Sequence, residues 1–443
     1  MLFTSFEFLV FYLVLYALVY LMNRYDKVFI RNFLLLVGSY FFYGNLHEWY
    51  PLLLLYVTVV GYVAGKVLER FSSHRKAVAG VSIGVSLCPL FFFKYAPLLN
   101  ESIWLPVGLS FFTLQSLTYI WDCYRRKIEK SFGLLDVALF VAFFPTLLSG
   151  PIERARNLIP QLQRGFTYKW CNIVSGVQIF IWGAFKKLVI ADNLGQIVDV
   201  TYTDLETAGG LNLALAALLY AIQIYADFSG YASMAVGIGR SFGIQLTDNF
   251  NFPYFAGTIK EFWKRWHISL TSWFTEYVYI SMGGNRCSKW RWMINIYTVF
   301  LLSGIWHGAT WAFVIWGAMH GMMYLLERAV SDKLTHTILY RVVMLMGVVT
   351  AWIFFRIPHS GDAWYVVKCI FAGPWLPFTA MGQLPFSFVG TICLAILFLI
   401  LELMLYHKCY PKGIVWHWFG FALLICLIAI FAIPDNKFVY FNF

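Results

Sequence analysis

Apolar positions in this chain come in long blocks. A spanning helix needs roughly 20 mainly apolar residues, and runs near that length recur at Phe6 to Met22, Pro51 to Leu68, Ala77 to Tyr95, Leu105 to Trp121, Ile173 to Ile190 and Leu211 to Ala226. They resume at Met293 to Trp306, Trp311 to Leu326, Val342 to Phe355, Phe386 to Tyr406 and Val415 to Ile433. With the shorter run Asn32 to Tyr43, the pattern predicts an all-α polytopic membrane protein with about twelve transmembrane helices. Leu134 to Ser149 has Lys130 before it and Arg154 and Arg156 after it, which predicts a segment that dips in and returns to the same face.

One stretch breaks the pattern. No spanning run occurs between Asn249 and Arg286, and Ile259 to Tyr279 is amphipathic at helical spacing. Ile259, Phe262, Trp263, Trp266, Leu270, Trp273, Phe274 and Tyr277 share one face, with Lys260, Lys264, His267 and Thr271 opposite. This predicts an interfacial helix lying aromatic side down on the membrane, its simplest role being an anchor to anionic lipid. The turn Gly283-Gly-Asn-Arg286 that follows suggests a second role, because backbone N–H groups freed beside a cation suit a phosphate.

Composition agrees with the blocks. Of 443 residues, 60% are hydrophobic and 12% charged, which excludes an ordinary soluble domain. No repeat or long linker divides the chain, so residues 1–443 are expected to form a single membrane domain. The first run lacks a basic leader and cleavage site and is expected to be a retained helix. The net charge of +11 matters through its placement. Arg24, Lys27 and Arg31, then Lys66, Arg70, Arg75 and Lys76, then Arg125, Arg126, Lys127 and Lys130 mark alternate loops as cytoplasmic. This alternation places the N-terminus outside, and the acidic loop Asp192 to Gly210 and the C-terminus outside as well. The eight cysteines show no metal or redox spacing and are expected to be packing residues.

Candidate chemistry gathers between Asp227 and Gly321. An ionised side chain at bilayer depth costs roughly 2.5–3.5 kcal/mol on insertion scales, so Asp227 in Ala226-Asp-Phe-Ser-Gly-Tyr231 either pairs with a neighbour or lines a wet cavity. In Leu302-Ser-Gly-Ile-Trp-His-Gly-Ala309 an apolar run ends in a histidine flanked by glycines, and another run starts at once. His307 is therefore expected inside the bilayer at a break that could line a tunnel. His320, in Trp316-Gly-Ala-Met-His-Gly321, ranks after it. A neutral imidazole can take a proton from a hydroxyl that attacks a thioester, and His267, Asn285 or a backbone N–H near Gly308 could hold the developing oxyanion. Gly239-Arg-Ser-Phe-Gly243 fits a nucleophile elbow in letters only, since it follows a membrane helix. There is no HExxH, Walker A or dinucleotide fingerprint, and neither a metal nor a nucleic-acid partner is expected.

Phe262-Trp-Lys-Arg-Trp-His-Ile-Ser-Leu270, Gly283-Gly-Asn-Arg286, Ile305-Trp-His-Gly-Ala309 and Asp227-Phe-Ser-Gly-Tyr231 together resemble the membrane-bound O-acyltransferase (MBOAT) superfamily, in its bacterial alginate and peptidoglycan O-acetyltransferase-like branch. Pro106-Val-Gly-Leu-Ser-Phe111, Phe144-Pro-Thr-Leu-Leu-Ser-Gly-Pro151 and Phe185-Lys-Lys-Leu-Val-Ile-Ala-Asp-Asn193 extend the likeness, which covers a core at residues 106–321. The chain departs from the branch at Ala232-Ser233, Thr275-Glu276 and Ser281.

The resemblance implies helices around a central tunnel in the inner membrane, and an acetyl group taken from cytoplasmic acetyl-CoA for an extracytoplasmic polysaccharide. A separate SGNH-type hydrolase-like partner would place it there. His307 would be catalytic with His267 its companion, Asp227, Ser229, Tyr231 and Trp306 would support the tunnel, and Lys264, Arg265, Asn285 and Arg286 would bind the donor. Two other readings stay open: D-alanyl transfer to teichoic acid from a carrier-protein thioester, and a transporter of polysaccharide or lipid-linked sugar without covalent chemistry.

Overall fold

A computed structural model describes residues 1–433 apart from Ser72, Leu99, 101–103, Glu206, 374–386 and 410–412, so Phe386, where one expected span begins, lies outside the described residues. The described chain is helical, with no strand among its residues. In order, the helices are α1 (Phe6–Arg24), α2 (Val28–Gly44), α3 (Tyr50–Arg70), α4 (Arg75–Tyr95), α5 (Leu109–Tyr124), α6 (Leu134–Ala142), α7 (Phe144–Leu147), α8 (Ala155–Gln163) and α9 (Trp170–Phe185). A π-helical turn, Lys186–Ala191, continues α9 into α10 (Asp192–Thr203), followed by α11 (Gly210–Ser241), α12 (Ile259–Arg265) and α13 (Ile268–Trp273). A second π-turn, Phe274–Tyr279, precedes α14 (Lys289–His307), α15 (Trp311–Glu327), α16 (Asp332–Thr335), α17 (Ile338–Arg356), α18 (Ser360–Ala372), α19 (Ser387–Tyr406) and α20 (Ile414–Phe431).

Among the described residues, seven helical stretches are long and apolar enough to cross a membrane: α1, α3, α4, the continuous stretch Trp170–Thr203, α11, α17 and Phe388–Tyr406 of α19. Val28–Gly44 and Trp418–Phe431 are shorter apolar helices. The helices sort into two compact units, Met1–Phe180 with Tyr231–Asp248, and Ile181–Gly230 with Asn249–Phe443.

In the first unit, α3 lies close on α5, where Gly61 meets Ser116 and Gly65 meets the Tyr119 ring. Arg31 is buried at a polar knot, donating to Asn23 Oδ1 and to the carbonyls of Arg164, at 2.8 Å each, and of Leu162, while its guanidinium lies 3.8 Å over the Phe166 ring. The segment expected to dip into the membrane forms α6 and α7. At nine residues, α6 is about 13.5 Å long, under half of the roughly 30 Å hydrocarbon layer.

In the second unit, α14 and α15 form an antiparallel pair through their glycines. A Cβ at Gly304 would strike the Phe313 carbonyl and one at Gly317 the Phe300 carbonyl, so only glycine permits this approach. Ser288 caps α14 by accepting from the Arg291 amide. Helix α17 packs against the other side of α15 through Trp352 and Phe355.

Two sequence-based boundaries change. Helix α11 does not end at Ala226 but runs for 32 residues, about 48 Å, which puts Asp227 in its interior. Ile259 to Tyr279 is not one interfacial helix either: the chain breaks at His267, whose φ of 43° is left-handed, between α12 and α13. Phe262, Trp266, Leu270, Trp273 and Tyr277 are buried within the protein, and His267, expected on the polar face, is 1% exposed. Helical periodicity marks which residues avoid water, and a protein core meets that demand as well as lipid does.

Candidate active site

His307 is the last residue of α14 and is 6% exposed. Its imidazole lies among rings: Trp306 at 4.7 Å, Trp316 of α15 at 5.0 Å and Phe355 of α17 at 5.0 Å, all steeply inclined to it. The helix stops there because Gly308 turns to an extended conformation, and a Cβ at Gly308 would overlap the Phe313 ring. Sequence and packing agree at this point, since the glycine that ends α14 is the one that lets α15 close over the histidine.

His267 approaches from α13. The left-handed backbone at this residue turns its ring inward, 4.6 Å from Phe228 of α11 and 6.5 Å from Trp306. Asn249 fixes the turn, its side-chain oxygen accepting from the Ser269 amide at 3.1 Å and its carbonyl from the Ile268 amide at 2.9 Å. His267 stands outside the candidate spans, and burial lowers its imidazole from 6.5 to about 3. It is therefore neutral at working pH and still carries one N–H donor. Imidazoles His267 and His307 thus both border Trp306, in surroundings of low dielectric where hydrogen bonds to a developing charge gain strength.

The other expected residues fall elsewhere. Asp227 is fully buried and faces Lys187 at 2.9 Å, and Lys187 also meets Asp192 at 2.6 Å. Lys186 donates to the Ser229 carbonyl at 3.0 Å, and Tyr225 donates to Glu402 at 2.7 Å. Asp227 and Ser229 therefore belong to a buried ionic cluster on the π-turn, and Asp192, expected in an exposed acidic loop, is one of its members. Tyr231 belongs to the first unit, where its ring stacks on Phe3 at 4.6 Å.

Among the expected donor-binding residues, Lys264 is exposed on α12 and Arg265 pairs with Glu261 at 2.6 Å. Asn285 and Arg286 are exposed before α14. The turn there is not a cradle of free amides: Gly283, Gly284 and Arg286 donate to the carbonyls of Ile280, Tyr279 and Gly283, while Asn295 of α14 donates to the Met282 and Gly284 carbonyls. Helix α14 puts its 19 residues, about 28 Å, between this turn and His307, so Asn285 cannot serve as an oxyanion donor there. The Gly308 amide is also committed, donating to the Gly304 carbonyl.

Lys187 and Trp316 stand within motifs of the sequence but carry no expected role there. Two lysines inside the apolar run Ile173 to Ile190 were the signal for the first, because a charge at that depth demands a partner. Trp316 stands four residues before His320, on the same helical face.

The MBOAT, membrane-bound O-acyltransferase family, matches residues 85–360. A protein named probable alginate O-acetylase AlgI from Pseudomonas aeruginosa is 37% identical over 83% of this chain and 75% of its own. The peptidoglycan O-acetyltransferase of Helicobacter pylori is 36% identical over 75% of this chain and 72% of its own. A teichoic acid D-alanyltransferase of Bacillus subtilis is 27% identical over 65% of this chain and 78% of its own. With the family match across the histidine-bearing helices and these relatives over most of its length, the chain belongs to the membrane-bound O-acyltransferase family, in its AlgI-like branch, and is an acyltransferase.

Proposed function

We propose that the protein carries an acetyl group from cytoplasmic acetyl-CoA to the outer face of a bacterial inner membrane, for O-acetylation of an extracytoplasmic polysaccharide such as alginate or peptidoglycan. An SGNH-type hydrolase-like partner completes delivery to the polymer. About twelve crossings with both termini outside, as the loop charges indicate, fit a route from one face to the other. The chain acts as a single membrane domain whose core, residues 106–321, carries the chemistry.

The observation that carries this reading is the His307 imidazole held among Trp306, Trp316 and Phe355 where α14 breaks. His307 takes the proton of the acceptor hydroxyl as its oxygen attacks the thioester carbonyl. The carbonyl oxygen becomes an oxyanion, which the neutral His267 N–H stabilises. Collapse breaks the C–S bond, and the departing thiolate takes the proton back from His307. Closely packed rings exclude the water that would otherwise hydrolyse the donor. Lys264 and Arg265, three and two residues before His267, hold the donor's phosphates, with Asn285 and Arg286 as a more distant pair.

The D-alanyltransferase relative supports a second reading, D-alanyl transfer from a carrier-protein thioester. Membranes carrying the full chain are expected to release CoA from acetyl-CoA in the presence of acceptor. Transfer from an aminoacylated carrier with no use of acetyl-CoA replaces the first reading with the second.

A further inference from the structure

His320 extends the site by one more ring. His267, Trp306, His307, Trp316 and His320 form a row with successive ring centroids 6.5, 4.7, 5.0 and 5.0 Å apart. Trp316 thus stands between two imidazoles, at 83° to His307 and 67° to His320. It is itself clamped by Trp352 at 6.0 Å and Phe355 at 5.3 Å.

His320 is completely buried in an aromatic box, with Trp263 at 4.9 Å, Phe262 parallel to it at 6.4 Å and Phe300 at 6.4 Å. Neither of its ring nitrogens, nor the Trp316 Nε1, meets a hydrogen-bond partner among the described residues. Burying a polar ring in that way costs free energy that a phenyl ring of similar size would avoid, so packing alone does not account for a histidine here. The side chain is also rigidly placed. Trp316 and His320 share one face of α15 at i, i+4, while Gly317 and Gly321 press the adjacent face onto α14, the helix that ends in His307.

We propose that His320 is a positioning residue of the acyl-transfer centre. Acting through Trp316, it fixes the plane of the His307 ring and so which nitrogen faces the acyl group. His320 touches no reacting atom. The proposal rests on the reading of His307 as the base.

The test uses the full chain in native membranes, with CoA release from acetyl-CoA followed as kcat and KM across pH. His307→Ala is expected to lose at least ~100-fold in turnover. His320→Phe, which keeps the ring and removes its nitrogens, is expected to lower kcat roughly 10-fold, with KM for acetyl-CoA within about twofold and the acidic limb of the pH–kcat profile displaced. His320→Gln restores part of the loss. Trp316→Phe gives the same signature, and because the two residues act in series, the double variant is no worse than the weaker single.

If His320→Phe does not fold, His320→Gln and Trp316→Phe carry the same readout. The proposal is overturned if His307→Ala abolishes turnover while the His320 variants keep the wild-type kcat and pH profile. It is equally overturned if their loss only tracks the amount of folded protein, or if the double variant is additive. Retained turnover in His307→Ala instead removes the base assignment, and this proposal with it.

Discussion

The second unit holds two buried polar groupings of opposite character. One is the row of imidazole and indole rings around His307. The other is the ionic cluster on the π-turn, where Lys187 is shared between Asp192 and Asp227 and Lys186 reaches the Ser229 carbonyl. The first is built of rings and lies where helices end or break, at His267 and Gly308. The second is charged and lies inside continuous helix. Neutral groups can stay unprotonated in an apolar place and exchange a proton during a reaction, whereas paired charges must remain paired or the fold suffers. The ionic cluster therefore joins α9, α10 and α11, and the ring row is where the proposed acyl transfer takes place.

The largest stability effect should come from Lys187→Met, which strands two carboxylates in the core. It is expected to cost about 3–5 kcal/mol, seen as loss of folded protein in detergent extracts. Neutralising the carboxylates as well, with Asp192→Asn and Asp227→Asn, is expected to recover most of that loss. Turnover per folded molecule should then match the wild type, and a triple variant that folds but is inactive would merge the two groupings into one.

Gly308→Ala comes next. The new Cβ overlaps the Phe313 ring, so a loss of about 1–3 kcal/mol is expected in thermal melts, with reduced turnover because α15 can no longer close on His307.

Protonation of His267 should give a smaller, pH-dependent effect. Its folded imidazole is depressed to about 3, so folding favours the neutral ring. The sign follows from this: the contribution is complete above the unfolded value near 6.5 and is lost as pH falls from there toward 3. Melting temperature followed from pH 7 to pH 4 should fall less steeply in His267→Asn than in wild type, and parallel curves would contradict the assignment. The smallest effect is expected for Arg286→Gln, an exposed residue separated from His307 by the roughly 28 Å length of α14. Stability should stay within about 0.5 kcal/mol, and KM for the donor should rise no more than a few-fold.

Much of this was legible in the chain itself. The apolar blocks predicted the helical class, and Trp306-His-Gly308 between two runs predicted a break with a histidine at its edge, because glycine and histidine are costly inside a span unless used. The path of Ile259 to Tyr279 was not legible. Its helical period continues unbroken across His267, and nothing in a single sequence announces a left-handed histidine. That same period could not distinguish lipid from protein as the apolar surroundings. Nor could the partners of Asp227 be read, since Lys187 lies forty residues earlier and a one-dimensional pattern does not say which buried charges meet. His320 was visible as a histidine, but its place beside Trp316 depends on how α14 and α15 dock through their glycines.

The central claim is that the His307 imidazole is the base for acyl transfer. Its most direct measurement is CoA released per folded molecule from acetyl-CoA, in membranes bearing full-length wild type, His307→Ala or His307→Gln, with insertion verified for each. The account predicts a fall of at least ~100-fold in both variants with unchanged insertion; release within a few-fold of wild type would contradict it.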